Sequence, residues 1–411
     1  MTAPWLTIIG IGEDGVAGLS AAAREAMAGA ETILGGDRHH DLAGVSTAKR
    51  LSWPSPFDAM IEAIAAHRGR PMVVLATGDP LWYSVGARIA TAIPREEIAY
   101  HPQLSAFQWA ACRMGWSLAD VETLTAHGRP AGQVIPYFWP GARLLILTAG
   151  TETPGQIARL LADRGYGPSE LTVLANLGGP EEARLEGIAS DWAEATPEIP
   201  PFHTLAVTCI GAPTQLLPRI PGLPDEAFEH DGKMTKRDVR AATLAKLMPA
   251  RGEVLWDIGV GCGSVAIEWM RAAPSAVAIG FDTNPDRLVI AQRNAETLGV
   301  PALQLLEGAA PDILHEIPEP VGTRPDLRTP NAVFIGGGLS EDLVDAVLAR
   351  MRPLGRLVAN AVTLESEACL TALHSRIGGE LTRISTAHAA PVGPYRGWRA
   401  AMPVTQWSLI R

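Results

Sequence analysis

Short, strand-like apolar runs alternate with helical patterns along the whole chain, and this alternation constrains the fold more than any other feature. Strand-like runs fall at residues 6–10, 72–76, 144–147, 171–175 and 205–209. A second series falls at 254–258, 276–281, 303–306, 332–335 and 356–360. Segments 21–28, 58–66 and 287–298 between them have helical spacing. Such a βαβ rhythm predicts an α/β chain with mostly parallel sheets and helical cover.

One stretch breaks the rhythm. Between Gly211 and Gly232 stand Pro213, Pro218, Pro221 and Pro224, followed by a polar run. Proline clusters of this kind mark domain boundaries. The expected organisation is a domain over 1–211, a Pro-rich linker over 212–233 and a second domain over 234–411. A helix is expected after the linker, capped by Thr235 with Asp238 completing a capping box. Its spacing puts Val239, Ala242, Thr243 and Leu247 inward, with Lys236, Arg237 and Arg240 outward. A second Pro-rich stretch, 317–330, reads as a surface loop.

At 411 residues the chain is long enough for two cores. Its formal net charge is -10, a poor basis for sequence-independent nucleic-acid binding. Cys112, Cys209, Cys262 and Cys369 are widely spaced and form no C-x-x-C pair. That argues against a disulfide framework or a zinc ribbon and fits a reducing cytoplasm. The start of the chain lacks the basic flank and long apolar stretch of a signal peptide. No apolar run approaches the roughly 18 residues of a membrane span. A cytoplasmic protein with no membrane partner is expected.

The clearest motif is an apolar strand ending in Asp257, then Gly259, Gly261 and Gly263, then a helical pattern. Glycines there allow a sharp turn and let a ligand approach the backbone without meeting a Cβ. A second strand ends in Asp282, placed to bind two ribose hydroxyls of a nucleoside. The bland alternative is a tight β–α turn with a surface acid. The glycines run G-x-G-x-G behind an acid, unlike the dinucleotide fingerprint. These residues resemble the motifs of class I S-adenosylmethionine (SAM)-dependent methyltransferases. The resemblance covers about 234–411 and implies that Asp257, Gly259, Gly261, Gly263 and Asp282 hold SAM. It also implies that Gly308 and Ala309 lie near the adenine. Gly336, Gly337 and Gly338 end the fourth strand, where amino-methyltransferases of nucleic acids carry polar residues; here they leave room for a bulky flat substrate, or form a flexible loop.

In the N-terminal half, the first strand ends in Gly10 and Gly12, and a later one in Gly78, Asp79 and Pro80. His101 to Phe107, containing Ser105 and Ala106, follow. The ordered set resembles the tetrapyrrole methylase family, class III SAM-dependent methyltransferases, over about 1–211. That fold has two α/β halves with SAM between them. The resemblance implies that Gly10, Gly12, Gly78, Asp79, Pro80, Ser105 and Ala106 line the cofactor. Many members have Gly-Pro-Gly in the first loop, whereas this chain has Glu13 and Asp14 before Gly15. Those acids shape a different substrate edge or form an exposed turn.

One domain of each type in this order resembles the bifunctional precorrin C5,15-methyltransferases (decarboxylating) of cobalamin biosynthesis. The resemblance implies two SAM sites per chain, a cyclic tetrapyrrole substrate and a homo-oligomer. It assigns C5 methylation to the first domain, and C15 methylation with loss of the C12 acetate carboxyl to the second. Alkylating an electron-rich macrocycle carbon requires alignment and exclusion of water, with no Ser or Cys nucleophile and no metal. Lys236, Arg237, Arg240, Arg396 and Arg399 are candidates for orienting substrate carboxylates, since Arg binds carboxylates in bidentate fashion; the alternative is solvated surface charge. Glu268, Glu365, His39, His40 and His388 are further candidates for moving protons. Trp82, Trp256 and Trp398 could stack on a macrocycle or pack in cores. The rival reading is a class I methyltransferase acting on RNA or protein with an accessory N-terminal domain.

Overall fold

The structure, a computed structural model, describes residues 4–319 and 326–411. The middle of the 317–330 stretch lies outside the described residues. The chain divides into two compact units, Met1–Val134 with Phe138–Thr214, and Ile135–Tyr137 with Gln215–Arg411.

The first unit holds two sheets. Strands β1 (Leu6–Ile11), β2 (Thr32–Leu34), β3 (Lys49–Leu51), β4 (Met72–Thr77) and β5 (Ile98–His101) form an all-parallel sheet ordered β3-β2-β4-β1-β5. Both faces are covered, which explains the continuous apolar runs. Leu6, Ile8, Met72 and Val74 enter the core on one face. Ile9, Ile11, Val73 and Leu75 enter the core on the other. The second sheet contains β6 (Glu122–Thr125), β7 (Arg143–Leu147), β8 (Glu170–Ala175), β9 (Ala183–Ile188) and β10 (His203–Thr208), ordered β6-β7-β10-β8-β9. In it β6 and β7 are parallel, whereas β10 runs antiparallel to both β7 and β8.

The second unit is a seven-stranded sheet. Its strands are β11 (Val254–Ile258), β12 (Val277–Asp282), β13 (Gln304–Glu307), β14 (Ala332–Ile335), β15 (Arg356–Ala361), β16 (Glu380–Ile384) and, after a hairpin of β17 (Ala387–Val392) and β18 (Tyr395–Ala400), β19 (Val404–Ile410). The order is β13-β12-β11-β14-β15-β19-β16, with β19 antiparallel to its neighbours. Val254, Trp256 and Ile258 of β11 join the core on one face, and Leu255 joins that on the other. Strand order reverses between β11 and β14. Ligands of open α/β sheets bind at such a switch point, beyond the carboxyl ends of the strands.

The Pro-rich stretch packs onto the second unit, with Leu223 and Phe228 buried in its core. Prolines withhold N–H groups from a sheet, and the N–H groups of Gly222 and Leu223 go instead to the Glu268 carboxylate, at 2.5 and 3.0 Å. Helix Arg237–Leu247 starts at Lys236, with no side-chain cap from Thr235. Its Arg240 faces inward and is fully buried. The hydrogen-bonding reach of a guanidinium reverses the outward assignment: Nε donates to Glu268 at 2.6 Å, and Nη1 to Asp225 at 3.1 Å and to the Thr235 carbonyl at 2.7 Å.

Candidate active sites

In the first unit, the carboxyl ends of the parallel strands open onto a cleft of about 840 Å³ between the two sheets. That is within the range of small-molecule sites. Gly12, Gly78, Ser105 and Ala106 line it. Gly10 lies beneath: a Cβ there would run into the Gly78 carbonyl oxygen. Gly78 itself has φ +61°, and a Cβ on it would stand 2.8 Å from the Cα of Ser105. The two glycines therefore let the loops after β1, β4 and β5 close on one another. Asp79 accepts the Leu81 N–H at 2.7 Å, tying down its own turn. Pro80 is buried behind it. Ser105 caps helix Ala106–Met114, and its N–H donates to Gln108 Oε1 at 2.7 Å.

The acidic departure in the first loop has a role in this structure. Glu13 forms an ion pair with Arg38, and the Arg38 guanidinium lies 3.7 Å from the centroid of the Phe202 ring. Burial holds Arg38 down at about 10. Asp14 turns back beside Gly18. His39 also lines the cleft; burial, then the charges of Arg38 and His40, push it down to about 4, so it is neutral at physiological pH. Trp82 lines the cleft and packs 5.3 Å from Phe107. Sequence reasoning missed Arg38, Arg88 and Arg129, all in the lining. They come from separate elements that only the fold brings together.

In the second unit, Asp257 is 1% exposed at the end of β11. One carboxylate oxygen accepts the Ala266 N–H at 2.9 Å. The other is buried with no hydrogen-bond partner among the described residues. Desolvation, reinforced by Asp282 and opposed by the Ala266 N–H, raises this acid to about 7. Asp282 is held between two backbone donors, Gly261 and Asn284, each at 3.0 Å. Gly259 has φ +76°, and a Cβ there would lie 2.6 Å from the Gly337 nitrogen. The glycine turns after β11 and β14 thus pack backbone to backbone, so Gly337 serves this approach. Gly338 has open space around its Cα. A Cβ on Gly308 would meet Ile313 at 2.8 Å, and its neighbour Ala309 is exposed.

Comparisons with known proteins agree with this division. The family described as Tetrapyrrole (Corrin/Porphyrin) Methylases matches residues 5–192, and that described as Precorrin methyltransferase domain matches 226–411. A Sinorhizobium protein named precorrin-6Y C(5,15)-methyltransferase [decarboxylating] is 44% identical, covering 99% of this chain and 97% of its own. The chain belongs to the precorrin-6Y C5,15-methyltransferase (decarboxylating) family. Two shorter relatives each cover under half of it. One, from Pyrobaculum calidifontis, is named a probable cobalt-precorrin-6B C(15)-methyltransferase (decarboxylating); it is 37% identical over 45% of this chain and 93% of its own. The other, from Salmonella typhimurium, is named a cobalt-precorrin-7 C(5)-methyltransferase; it is 30% identical over 43% and 87%.

For this member of the precorrin-6Y methyltransferase family, the remaining candidates divide sharply. Glu268 is 1% exposed, and its bonds go to Arg240 and two backbone N–H groups. It and Arg240 form a structural clamp on 222–228. Lys236 and Arg237 are exposed at the start of their helix. Arg396 and Arg399 are exposed on β18. Arg399 stands opposite His388 in the hairpin, and His388 lies 3.4 Å from Asp238, so the hairpin meets the first turn of that helix. Glu365 is exposed in the first turn of helix Leu364–Ile377. His40 is buried and bonded to the Leu51 carbonyl oxygen at 3.0 Å. Trp256 is fully buried and donates to the Leu327 carbonyl oxygen at 2.8 Å, which removes it as a stacking surface. Trp398 is 80% exposed.

Proposed function

We propose that this chain binds SAM at two sites and methylates precorrin-6B at C5 and C15, with loss of the C12 acetate carboxyl, in cobalamin biosynthesis. The observation that carries the reading is the presence of two unlike units, each with a glycine turn at the carboxyl ends of its parallel strands. Full-length similarity to a protein named for both steps supports it. C5 methylation belongs to the first unit in this reading, and C15 methylation with decarboxylation to the second. The domain bounds we propose are 1–214 and 215–411, in place of a linker over 212–233.

The residues fit SAM in both units. The N-terminal cleft has the volume and a floor of close-packed glycine turns. The C-terminal turn has an orphaned, buried carboxylate oxygen on Asp257 and a second acid whose position is fixed by backbone donors. Bound SAM supplies a methyl group already activated on a sulfonium. The protein's part is to orient the macrocycle and exclude water. In the N-terminal cleft, Arg38 and Arg88 are neutralised by Glu13 and Asp58. Arg129 lines the same cleft and has no ion-pair partner among the described residues, leaving its charge for a substrate carboxylate. Lys236, Arg237, Arg396 and Arg399 remain the candidates for that task in the second unit.

The proposal extends to a cytoplasmic homo-oligomer. All four cysteines are free. Among the described residues no helix is long and apolar enough to cross a membrane. Val392, Tyr395 and Trp398 on the hairpin are 63%, 78% and 80% exposed. Aromatic surface of that extent supports a protein contact; light scattering that finds only monomer would remove it. The reading as a whole is tested by mass spectrometry of metal-free precorrin-6B incubated with SAM and the full chain. Two methyl gains with loss of carbon dioxide are expected. No mass change, with SAM bound, would discard the substrate and keep methyl transfer. A chain divided between Thr214 and Gln215 should keep the C15 and decarboxylation steps in its second piece.

A further inference from the structure

Thr77 ends β4 with its side chain in the lining of the N-terminal cleft. Its hydroxyl oxygen lies 3.0 Å from His39 Nε2 and 3.5 Å from Arg38 Nη1. The direction of the first bond follows from the other side of the ring. The Gly36 backbone N–H can only donate, and it points at His39 Nδ1 from 3.2 Å. Nδ1 therefore carries the lone pair. The ring is neutral, so its single proton sits on Nε2 and is donated to Thr77 Oγ1. Arg38, which has only donors, approaches the same oxygen. The hydroxyl thus receives on its lone pairs, and its own proton is bonded to no acceptor among the described residues. A relay of one polarity runs from Gly36 N–H through the imidazole to a hydroxyl whose hydrogen is left for the cleft.

We propose that Thr77 is a fixed hydrogen-bond donor to a carboxylate oxygen of a ligand bound in this cleft, with His39 as the positioning residue that sets the hydroxyl's direction. The inference rests on reading the cleft as a methyl-transfer site. A carboxylate suits the place because the hydroxyl's lone pairs are taken by the imidazole and guanidinium N–H groups, which leaves it to donate, and the Glu13 carboxylate is engaged by Arg38. Two ligands of that reading carry one: the methionine part of SAM, and the acetate and propionate arms of the macrocycle. The shared chemistry is a hydroxyl donating to an anionic oxygen.

The test uses the full chain. S-adenosylhomocysteine binding is measured by calorimetry, tetrapyrrole binding by quenching of tryptophan fluorescence, and C5 methylation by mass spectrometry. Thr77→Val, which keeps shape and removes the donor, should weaken one ligand about tenfold; Thr77→Ser should restore it. Weakening at one of the S-adenosylhomocysteine sites points to the methionine carboxylate, and weakening of the tetrapyrrole points to an arm of the macrocycle. His39→Gln offers an N–H at the Nε2 position and should bind like wild type. His39→Glu offers only an acceptor there, so it should draw the Thr77 proton inward and match Thr77→Val. In the T77V background His39→Glu should add nothing, whereas simple charge repulsion would add its full effect. Unchanged binding of both ligands by T77V overturns the proposal, as does an undiminished His39→Glu effect in that background. If the wild type bound S-adenosylhomocysteine but left precorrin-6B unmethylated, the functional reading would fail while the nucleoside arm still tested Thr77.

Discussion

Replacing Asp257 by Asn should stabilise the second unit at pH 8 and remove a pH dependence from it. The carboxyl is 1% exposed, and one of its oxygens has no partner among the described residues. Burial lifts it from 3.8 to about 7. The folded state therefore holds a proton that the unfolded chain releases near pH 4. Stability is full below that point, falls as pH rises from about 4 to about 7, and is level above. Three pKa units at ~1.4 kcal/mol each put the cost at about 4 kcal/mol. An amide keeps the acceptor for Ala266 and carries no charge. With imperfect placement of its NH2 group, a gain of about 2–4 kcal/mol at pH 8 is expected, or roughly 5–10 °C in the melting of a unit of this size. Scanning calorimetry of both proteins at pH 5, 6, 7 and 8 reads it: the difference should grow with pH. Asp257 is also among the residues proposed to hold SAM, whose positive charge its ionised form would attract. Only about a tenth of the carboxyl is ionised at pH 6, so SAM affinity in the second unit should rise about tenfold from pH 6 to pH 8, and this rise should vanish in Asp257→Asn. A melting difference constant from pH 5 to 8 would refute the burial argument.

Other substitutions test the remaining assignments. Glu268→Ala takes from the buried Arg240 its buried ion-pair partner, leaving it only the partly exposed Asp225 among the described residues, and strands the N–H groups of Gly222 and Leu223. It should cost about 3–5 kcal/mol in thermal unfolding; a stable but inactive variant would instead show that Glu268 acts in the chemistry. Gly10→Ala forces a Cβ against the Gly78 carbonyl. It should abolish C5 methylation while C15 methylation with decarboxylation continues, read by product masses, at about 1–3 kcal/mol of strain. Arg129→Gln should raise the KM for the tetrapyrrole about tenfold or more, since a charge-assisted bond contributes about 1.5–3 kcal/mol. It should leave S-adenosylhomocysteine binding unchanged; equal loss of both would place Arg129 on the cofactor.

What was legible in the sequence follows the physics of local signals. Strands β1, β4, β11 and β14 are apolar on both faces, and the glycine turns after them answer to backbone contacts that leave no room for a Cβ. Both signals are written in consecutive residues. Strands β16 and β18 were not legible, because most of their residues face solvent and carry no apolar alternation. The helix after the Pro-rich stretch shows a conflict between two local rules. Position 240 lies on the inward stripe with Val239, Thr243, Leu244 and Leu247, yet its charge argued for solvent. The rule that buried charges are paired decides the matter, but the partner, Glu268, lies 28 residues on in another helix. No spacing argument connects the two.

The same reasoning explains why the cofactor side of each site was easier to anticipate than the substrate side. A cofactor that meets backbone needs glycines, and these cluster in a turn of a few residues. A substrate met by side chains can draw them from anywhere the fold converges. Thr77, Arg38 and Arg129 come from a strand end, a short helix and a turn, and each is unremarkable in its own segment. Their meaning lies in pairing. Glu13 cancels Arg38 and Asp58 cancels Arg88, so the selectivity of the N-terminal cleft rests on groups left over after internal partners are assigned. Substitutions at Glu13 should therefore alter ligand preference more than the fold: Glu13→Gln frees a second guanidinium beside Thr77. It should tighten carboxylate-rich tetrapyrroles with little change in melting temperature, and a variant that melts early with unchanged tetrapyrrole affinity would make the Glu13–Arg38 pair structural instead.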